Sequence, residues 1–375
     1  MPRQAIRRLI PDSIMRLADA SIFLCGRLPV DRMIGEQEIN MAEKDTFKAF
    51  LVSETTDGQY QRTITERALS DLPDHEVLIR VHYSSLNYKD ALSAHGNKGV
   101  TRQYPHTPGI DAAGIVVASR NPSFGQGDAV LVTGFDLGMN TSGGLGAYIR
   151  VPADWVIPLP SELSLKDSMI YGTAGFTAAM SIQRLVQHGV TPDKGEILVS
   201  GATGGVGSLA VAMLSHMGYS PVAVSGKSTA ESFLKTLGAR SVISRDEAES
   251  QAEKPILKAR WAGVVDTVGG KILSQAIKST RYGGAVTCCG LVASPQLSLT
   301  VFPFILRGVA LYGIDSAECG RDLRLLLWKN LAGAWRPDCL AGLSREIELE
   351  DVDQYMAMLL KGGNQGRIVV RMPGA

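Results

Sequence analysis

Two textures of apolar and polar positions follow one another along this chain. From Phe47 onward short runs of β type dominate. Phe47-Lys-Ala-Phe-Leu-Val predicts a strand, and Glu76-Val-Leu-Ile-Arg-Val-His-Tyr alternates apolar with polar. Gly114-Ile-Val-Val-Ala and Asp128-Ala-Val-Leu-Val-Thr follow, separated by turn-rich stretches such as Asn121-Pro-Ser-Phe-Gly-Gln-Gly. Short strands joined by such turns predict a small, closed or nearly closed β domain that runs to about residue 160.

Beyond Pro160 helical patterns alternate with short apolar strands, the signature of βαβ units and a parallel sheet. The predicted strands are Glu196-Ile-Leu-Val-Ser, Ser220-Pro-Val-Ala-Val-Ser, Ser241-Val-Ile-Ser, Ala262-Gly-Val-Val-Asp-Thr-Val and Gly284-Ala-Val-Thr-Cys-Cys-Gly. Helices are predicted over 206–217 and 228–237, the second stopped by Gly238. Leu323-Arg-Leu-Leu-Leu-Trp-Lys reads as an amphipathic helix, and Gly366-Arg-Ile-Val-Val-Arg as a last strand. The fold class is therefore α/β, a β domain plus a doubly wound parallel sheet.

Composition narrows the function. The 375 residues suggest about two domains. Apolar residues make up 45% and charged residues 20%, as in a folded globular protein. The formal charge is +1, which gives no electrostatic case for nucleic acid or an anionic membrane as main partner. No apolar run reaches the roughly 20 residues of a membrane-spanning helix. The five cysteines are scattered, with no C-x-x-C pair. That spacing argues against a disulfide framework or a structural zinc site, and for a reducing, cytoplasmic setting. Residues 1–45 read differently, with arginines spaced among short apolar groups. Asp12, Asp19 and Asp31 argue against a transit peptide. The expectation is a loosely ordered extension, or an upstream start with translation from Met41.

The most informative segment is Val199-Ser-Gly-Ala-Thr-Gly-Gly-Val-Gly-Ser-Leu-Ala. It leaves a predicted strand and opens a predicted helix. Gly204, Gly205 and Gly207 allow a sharp turn and let a diphosphate approach the backbone at a helix N-terminus. At the end of the next strand an NAD site usually carries Asp or Glu for the ribose 2′-hydroxyl. Here Ser225-Gly-Lys-Ser stands in that place. Ser225 can donate to a 2′-phosphate and Lys227 adds positive charge, so NADPH is the expected cofactor. Arg245, after the third strand, offers a second cation.

Metal chemistry lacks its ligands. The β domain has no cysteine, and His75, His82, His95 and His106 show no ligand spacing. Each is read as a surface or turn histidine. A metal-free reductase is expected, in which hydrogen bonds and the cofactor activate the substrate.

These parts together resemble the zinc-free medium-chain dehydrogenase/reductases of quinone oxidoreductase type, in their acrylyl-CoA reductase branch. The resemblance rests on Ser84-Ser-Leu-Asn-Tyr-Lys-Asp-Ala-Leu, Pro108-Gly-Ile-Asp-Ala-Ala-Gly, Gly172-Thr-Ala-Gly-Phe-Thr-Ala, the glycine loop, Val224-Ser-Gly-Lys, Trp261-Ala-Gly-Val-Val-Asp-Thr-Val-Gly and Pro303-Phe-Ile-Leu-Arg. It covers about Phe47 to Arg371. Gly109-Ile-Asp stands where zinc-dependent relatives carry a Gly-His-Glu ligand segment.

The resemblance implies a GroES-like catalytic domain over 46–165 and 316–375, with a Rossmann NADP-binding domain over 166–315 between. It implies NADPH-dependent reduction of acryloyl-CoA to propanoyl-CoA. By position, Tyr88 contacts the nicotinamide end; Thr203, Gly204, Gly205 and Val206 hold the diphosphate. Ser225, Gly226, Lys227 and Arg245 take the 2′-phosphate side, and Leu291, Ile305 and Ser316 line the rest of the groove. Relatives often carry Arg where this chain has Lys227, and Lys binds phosphate only as a point charge.

The reaction needs a donor for the thioester oxygen and a proton for the α-carbon. Tyr88 is the candidate donor or cofactor positioner, with Asn87 as a polar orienter; water is the alternative proton source. Cys288 and Cys289 are read as buried fillers. Phe302-Pro-Phe-Ile-Leu-Arg and Val309-Ala-Leu-Tyr-Gly read as a helix and then an edge strand; the resemblance implies a homodimer, since in that superfamily this edge often pairs across a two-fold axis. Lys98 and Arg102 are candidates to meet the CoA moiety of a short enoyl-CoA. A quinone or enone substrate, or a regulatory or crystallin-like NADPH-binding protein, are the rival readings.

Overall fold

A computed structural model describes residues 46–250 and 254–374; the reading of residues 1–45 lies outside the described residues. A seven-stranded, mostly antiparallel sheet runs in the order Ser344–Glu348, Arg367–Arg371, Val77–Ser85, Asp111–Ser119, Ala129–Thr133 and Ile157–Pro158, with Tyr148–Val151 also paired to Val77–Ser85. It therefore takes two strands from the end of the chain as well as those before residue 160. Thr46–Glu54 and Tyr60–Ala68 form a separate two-stranded ribbon.

A second sheet has six parallel strands in the order Ser241–Ser244, Ser220–Ser225, Glu196–Val199, Trp261–Asp266, Thr280–Cys288 and Ala310–Gly313. Chain order reverses beside Glu196–Val199, which puts the topological switch point at the end of that strand. The expected strands are all present; most agree within one or two residues, while Thr280–Cys288 begins four residues and Asp111–Ser119 three residues earlier than expected. The expected helix over 228–237 is a 3-10 turn, Ser228–Ala230, running into the helix Glu231–Thr236. Gly238 stops it at φ 90°.

The helix Leu165–Gln187 joins the two sheets. Met169, Tyr171, Phe176 and Ile182 on it are buried in one cluster with Ala113, Leu131 and Ile157 from the first sheet, Val199 from the second and Leu209 from the helix Gly205–His216. At Gly172 it breaks, with φ 50° and ψ −155°. A side chain there would overlap Asp111 and Ser85, so only glycine fits. The break frees the Thr173 amide to donate to Asp111 instead of continuing the helix.

Among the described residues no helix is long and apolar enough to cross a membrane.

Candidate active site

The glycine loop leaves Glu196–Val199 at the switch point and enters the helix Gly205–His216. Three close approaches shape it. Gly201 has φ 55°, and a Cβ there would overlap Thr267. A Cβ on Gly207 would overlap the Gly201 carbonyl and lie 2.7 Å from Ala202 Cα. A Cβ on Gly205 would lie 3.0 Å from Arg367 Nη1. Gly204 is the N-cap and brings no side chain to the first N–H groups of the helix, which stay open for an anion. Thr203 is buried, and its carbonyl accepts from Gly366 N at 3.0 Å.

At the end of the next strand, Ser225 Oγ accepts from Lys227 N at 3.0 Å. Arg245 packs against Gly226, where a Cβ would fall 2.6 Å from Arg245 Nε. Lys227 Nζ donates to the Asn364 carbonyl at 2.6 Å. Burial first, and the Arg245 charge second, push the Lys227 ammonium below the usual lysine range. Neither Lys227 nor Arg245 makes an ion pair among the described residues. Two neighbouring cations without a carboxylate suit a phosphate dianion.

Across the loop lies a buried ionic network. Arg367 comes from the last strand and donates to Ile170 O at 3.0 Å, Leu86 O at 3.1 Å, Asn87 Oδ1 at 3.2 Å and Ser85 Oγ at 2.7 Å. Asp111 lies 3.6 Å from Arg367. It accepts from Ser85 Oγ at 2.6 Å, Asn87 Nδ2 at 2.7 Å and Thr173 Oγ1 at 2.6 Å. Asp90 accepts the backbone N–H groups of Gly109, Ile110 and Asn87. Burial, and then the Asp111 charge, push its carboxyl up to about 7.

This network corrects the role expected of Asn87. Its amide is spent on Asp111, Ser85 O and Arg367, so it does not face a substrate. It caps the helix Tyr88–Ala94 and thereby sets Tyr88. Tyr88 is 43% exposed, and its hydroxyl has no hydrogen bond among the described residues. One guanidinium, that of Arg367, separates the Asn87 side chain from Gly205. The loop and Tyr88 thus border one cleft.

The remaining expected residues divide. Ser316 Oγ accepts from Thr177 Oγ1 at 2.7 Å, one helical turn from Thr173, which places it at this cleft. Leu291 is 64% exposed and follows Gly290, where a Cβ would overlap the Thr267 carbonyl beside the loop. Val206 is the first turn of the loop helix. Ile305 is 70% exposed on the helix Phe302–Arg307, whose last residue, Arg307, donates to Lys278 O and Thr280 O.

His106 is buried rather than a surface residue, and burial pushes its ring pKa down. Lys98 Nζ is paired with Glu54 Oε2 at 2.6 Å. Cys289 is held near Asp266, and burial pushes its thiol up to about 12, far from a nucleophile's range. Sequence reasoning missed Arg367, Asp111, Thr173 and Asn364. The one available signal was an arginine at an inward position of an apolar final strand.

Two cavities of about 540 and 550 Å³ both border Gln275, away from this cleft. The loop's chemistry, not cavity size, locates the site. Among the described residues no three His, Cys, Asp or Glu side chains converge in a way that would hold a metal. The donor set therefore does not fit zinc.

The sequence profile of the alcohol dehydrogenase GroES-like domain matches residues 73–161, and that of the zinc-binding dehydrogenases matches residues 205–329. The acrylyl-CoA reductase AcuI of Ruegeria pomeroyi is 41% identical over 325 residues, 86% of this chain and 98% of its own length. The crystal structure of Escherichia coli K-12 YhdH with bound NADPH superposes with a TM-score of 0.83 at 41% identity, covering 86% of this chain and 99% of that one. The structure of Bacillus subtilis YhfP with NAD bound gives 0.85 at 44% identity, covering 88% and 100%; that relative carries a quinone oxidoreductase name. With these relatives the chain shares both its sequence and its pairing of a GroES-like domain with a Rossmann-type parallel sheet, and it belongs to the zinc-free medium-chain dehydrogenase/reductases of the acrylyl-CoA reductase branch, oxidoreductases that take a nicotinamide dinucleotide.

Proposed function

We propose that the chain reduces the 2,3 double bond of acryloyl-CoA to propanoyl-CoA with NADPH. The observation that carries this reading is a dinucleotide loop joined through the Arg367 guanidinium to Asn87, the cap of the helix that begins at the exposed Tyr88. NADPH, when bound, supplies a hydride to the β-carbon. The chain must then stabilise the thioester oxygen and deliver a proton to the α-carbon. Tyr88 takes the first of these roles, because its hydroxyl has no protein partner to give up and Asn87 fixes the turn that carries it. Lys227 and Arg245, lacking counter-ions, favour the 2′-phosphate of NADPH over the bare hydroxyl of NADH. Free thiols at Cys288, Cys289, Cys319 and Cys339 fit a reducing cytoplasm.

Quinone reduction is the second reading, supported by the name of the Bacillus subtilis relative. One assay separates them. NADPH oxidation is expected to be fast with acryloyl-CoA, slower with NADH, and weak with a quinone. A quinone turned over faster than any short enoyl-CoA would reject the proposal.

A homodimer is part of this reading. Val301, Phe302, Ile305 and Leu306, on and just before the short helix that leads into the edge strand Ala310–Gly313, are exposed apolar residues that a second copy would cover. Sedimentation equilibrium should give twice the chain mass, and Ile305→Asp should give a single mass. A wild-type monomer at micromolar concentration would contradict it.

A further inference from the structure

We infer that Arg324 is a positioning residue for the nicotinamide end of the coenzyme: its buried guanidinium fixes the segment 316–319 and Phe135 as one wall of the cleft. This rests on the dinucleotide reading of the site.

Arg324 lies on the helix Arg321–Ala332 and is fully buried, while Leu325 and Leu326 beside it are 41% and 45% exposed. Arg324 thus occupies an inward position, on the same helix face as the buried Leu327, Trp328 and Leu331. Its five N–H groups meet five acceptors. Nε donates to Cys319 O at 3.1 Å; Nη1 donates to Thr133 O at 2.8 Å and Thr133 Oγ1 at 3.3 Å. Nη2 donates to Ser316 O at 2.9 Å and Ala317 O at 2.7 Å. The guanidinium carbon lies 4.1 Å from the Phe135 ring centre and 5.1 Å from that of Phe176. Among the described residues it makes no ion pair with a carboxylate.

A buried cation with no carboxylate in direct contact is costly, and packing alone would be served by Leu or Met. What the guanidinium supplies is a planar fork that binds two separate segments at once. One is Thr133, followed by Gly134, whose N–H donates to Ile110 O next to Asp111. The other is 316–319, where Ser316 also receives the Thr177 hydroxyl. Phe135 N donates to Ala317 O, and Phe135 itself is held at φ 52°, stacked on Trp155 at 5.3 Å. A non-glycine residue keeps that backbone only where its surroundings over-determine it. These segments lie on the Tyr88–Asp111 side of the cleft, away from Lys227 and Arg245.

The test separates the two ends of the coenzyme. In Arg324→Lys the ammonium cannot meet five acceptors, so NADPH should bind about tenfold more weakly by fluorescence titration. Adenosine 2′,5′-bisphosphate, which lacks nicotinamide, should bind within about twofold of wild type. Phe135→Leu removes the ring over the guanidinium, and with it the stack on Trp155, while leaving the hydrogen bonds of Arg324 in place. It should show the same split at about threefold. Equal weakening of both ligands would mean a merely structural role and overturn the inference, as would unchanged affinity for both. Wild-type protein that binds neither ligand would overturn the dinucleotide reading and this inference with it.

Discussion

Asp111→Ala is expected to cost about 3–5 kcal/mol of folding stability, because it leaves the Arg367 guanidinium buried without its counter-charge. Asp111 is 0% exposed and Arg367 3%. Removing the carboxylate strands the hydroxyls of Ser85 and Thr173, the Asn87 amide and the Thr173 N–H, all aimed at it. Asp111→Asn should cost less but not be neutral, since an amide nitrogen would face donors. The loss also reaches function, because Asn87 sets Tyr88 through the same carboxylate. Urea unfolding monitored by circular dichroism reads the stability. A change below about 1 kcal/mol would mean that the network is not the joint between the sheets.

How far the sequence shows this site depends on how local the cause is. The parallel strands were legible because each is buried on both faces and reads as an apolar run; Trp261–Asp266 is buried at every position. The glycine loop was legible because its close approaches are local. Tyr60–Ala68 was not: it pairs with one strand only and reads Tyr-Gln-Arg-Thr-Ile-Thr-Glu-Arg-Ala, without an apolar face. Ser344–Glu348 offers a single buried residue, Ile347, at a sheet edge. Arg367 and Asp111 are far apart in the chain, so only tertiary contact gives either one its role. Arg324 shows the converse limit. Its helix keeps an ordinary buried face, Leu327, Trp328, Leu331 and Ala332, and Arg324 sits one turn before them on that same face, where carbonyls of a neighbouring loop and of Thr133 take its N–H groups.

Gly207→Val should weaken NADPH binding by at least about a hundredfold while the rest of the fold survives. The cause is steric and local. The new Cβ would overlap the Gly201 carbonyl and crowd Ala202 Cα at 2.7 Å, so the helix must move outward from the loop. Gly201, at φ 55° with Thr267 against it, cannot yield in return. The helix N–H groups would then be displaced from the diphosphate that they are arranged to meet. Gly204→Ala is the sharper companion. Its backbone, at φ −77° and ψ 175°, suits alanine, and its nearest neighbour would be Gly201 O at 3.3 Å. The fold should tolerate that methyl group, so any loss of NADPH affinity reports the approach of the ligand itself. Calorimetric titration measures both variants. If Gly207→Val bound NADPH as tightly as wild type with its thermal unfolding unchanged, the elbow after Val199 would be a packing device and the coenzyme would have to lie elsewhere.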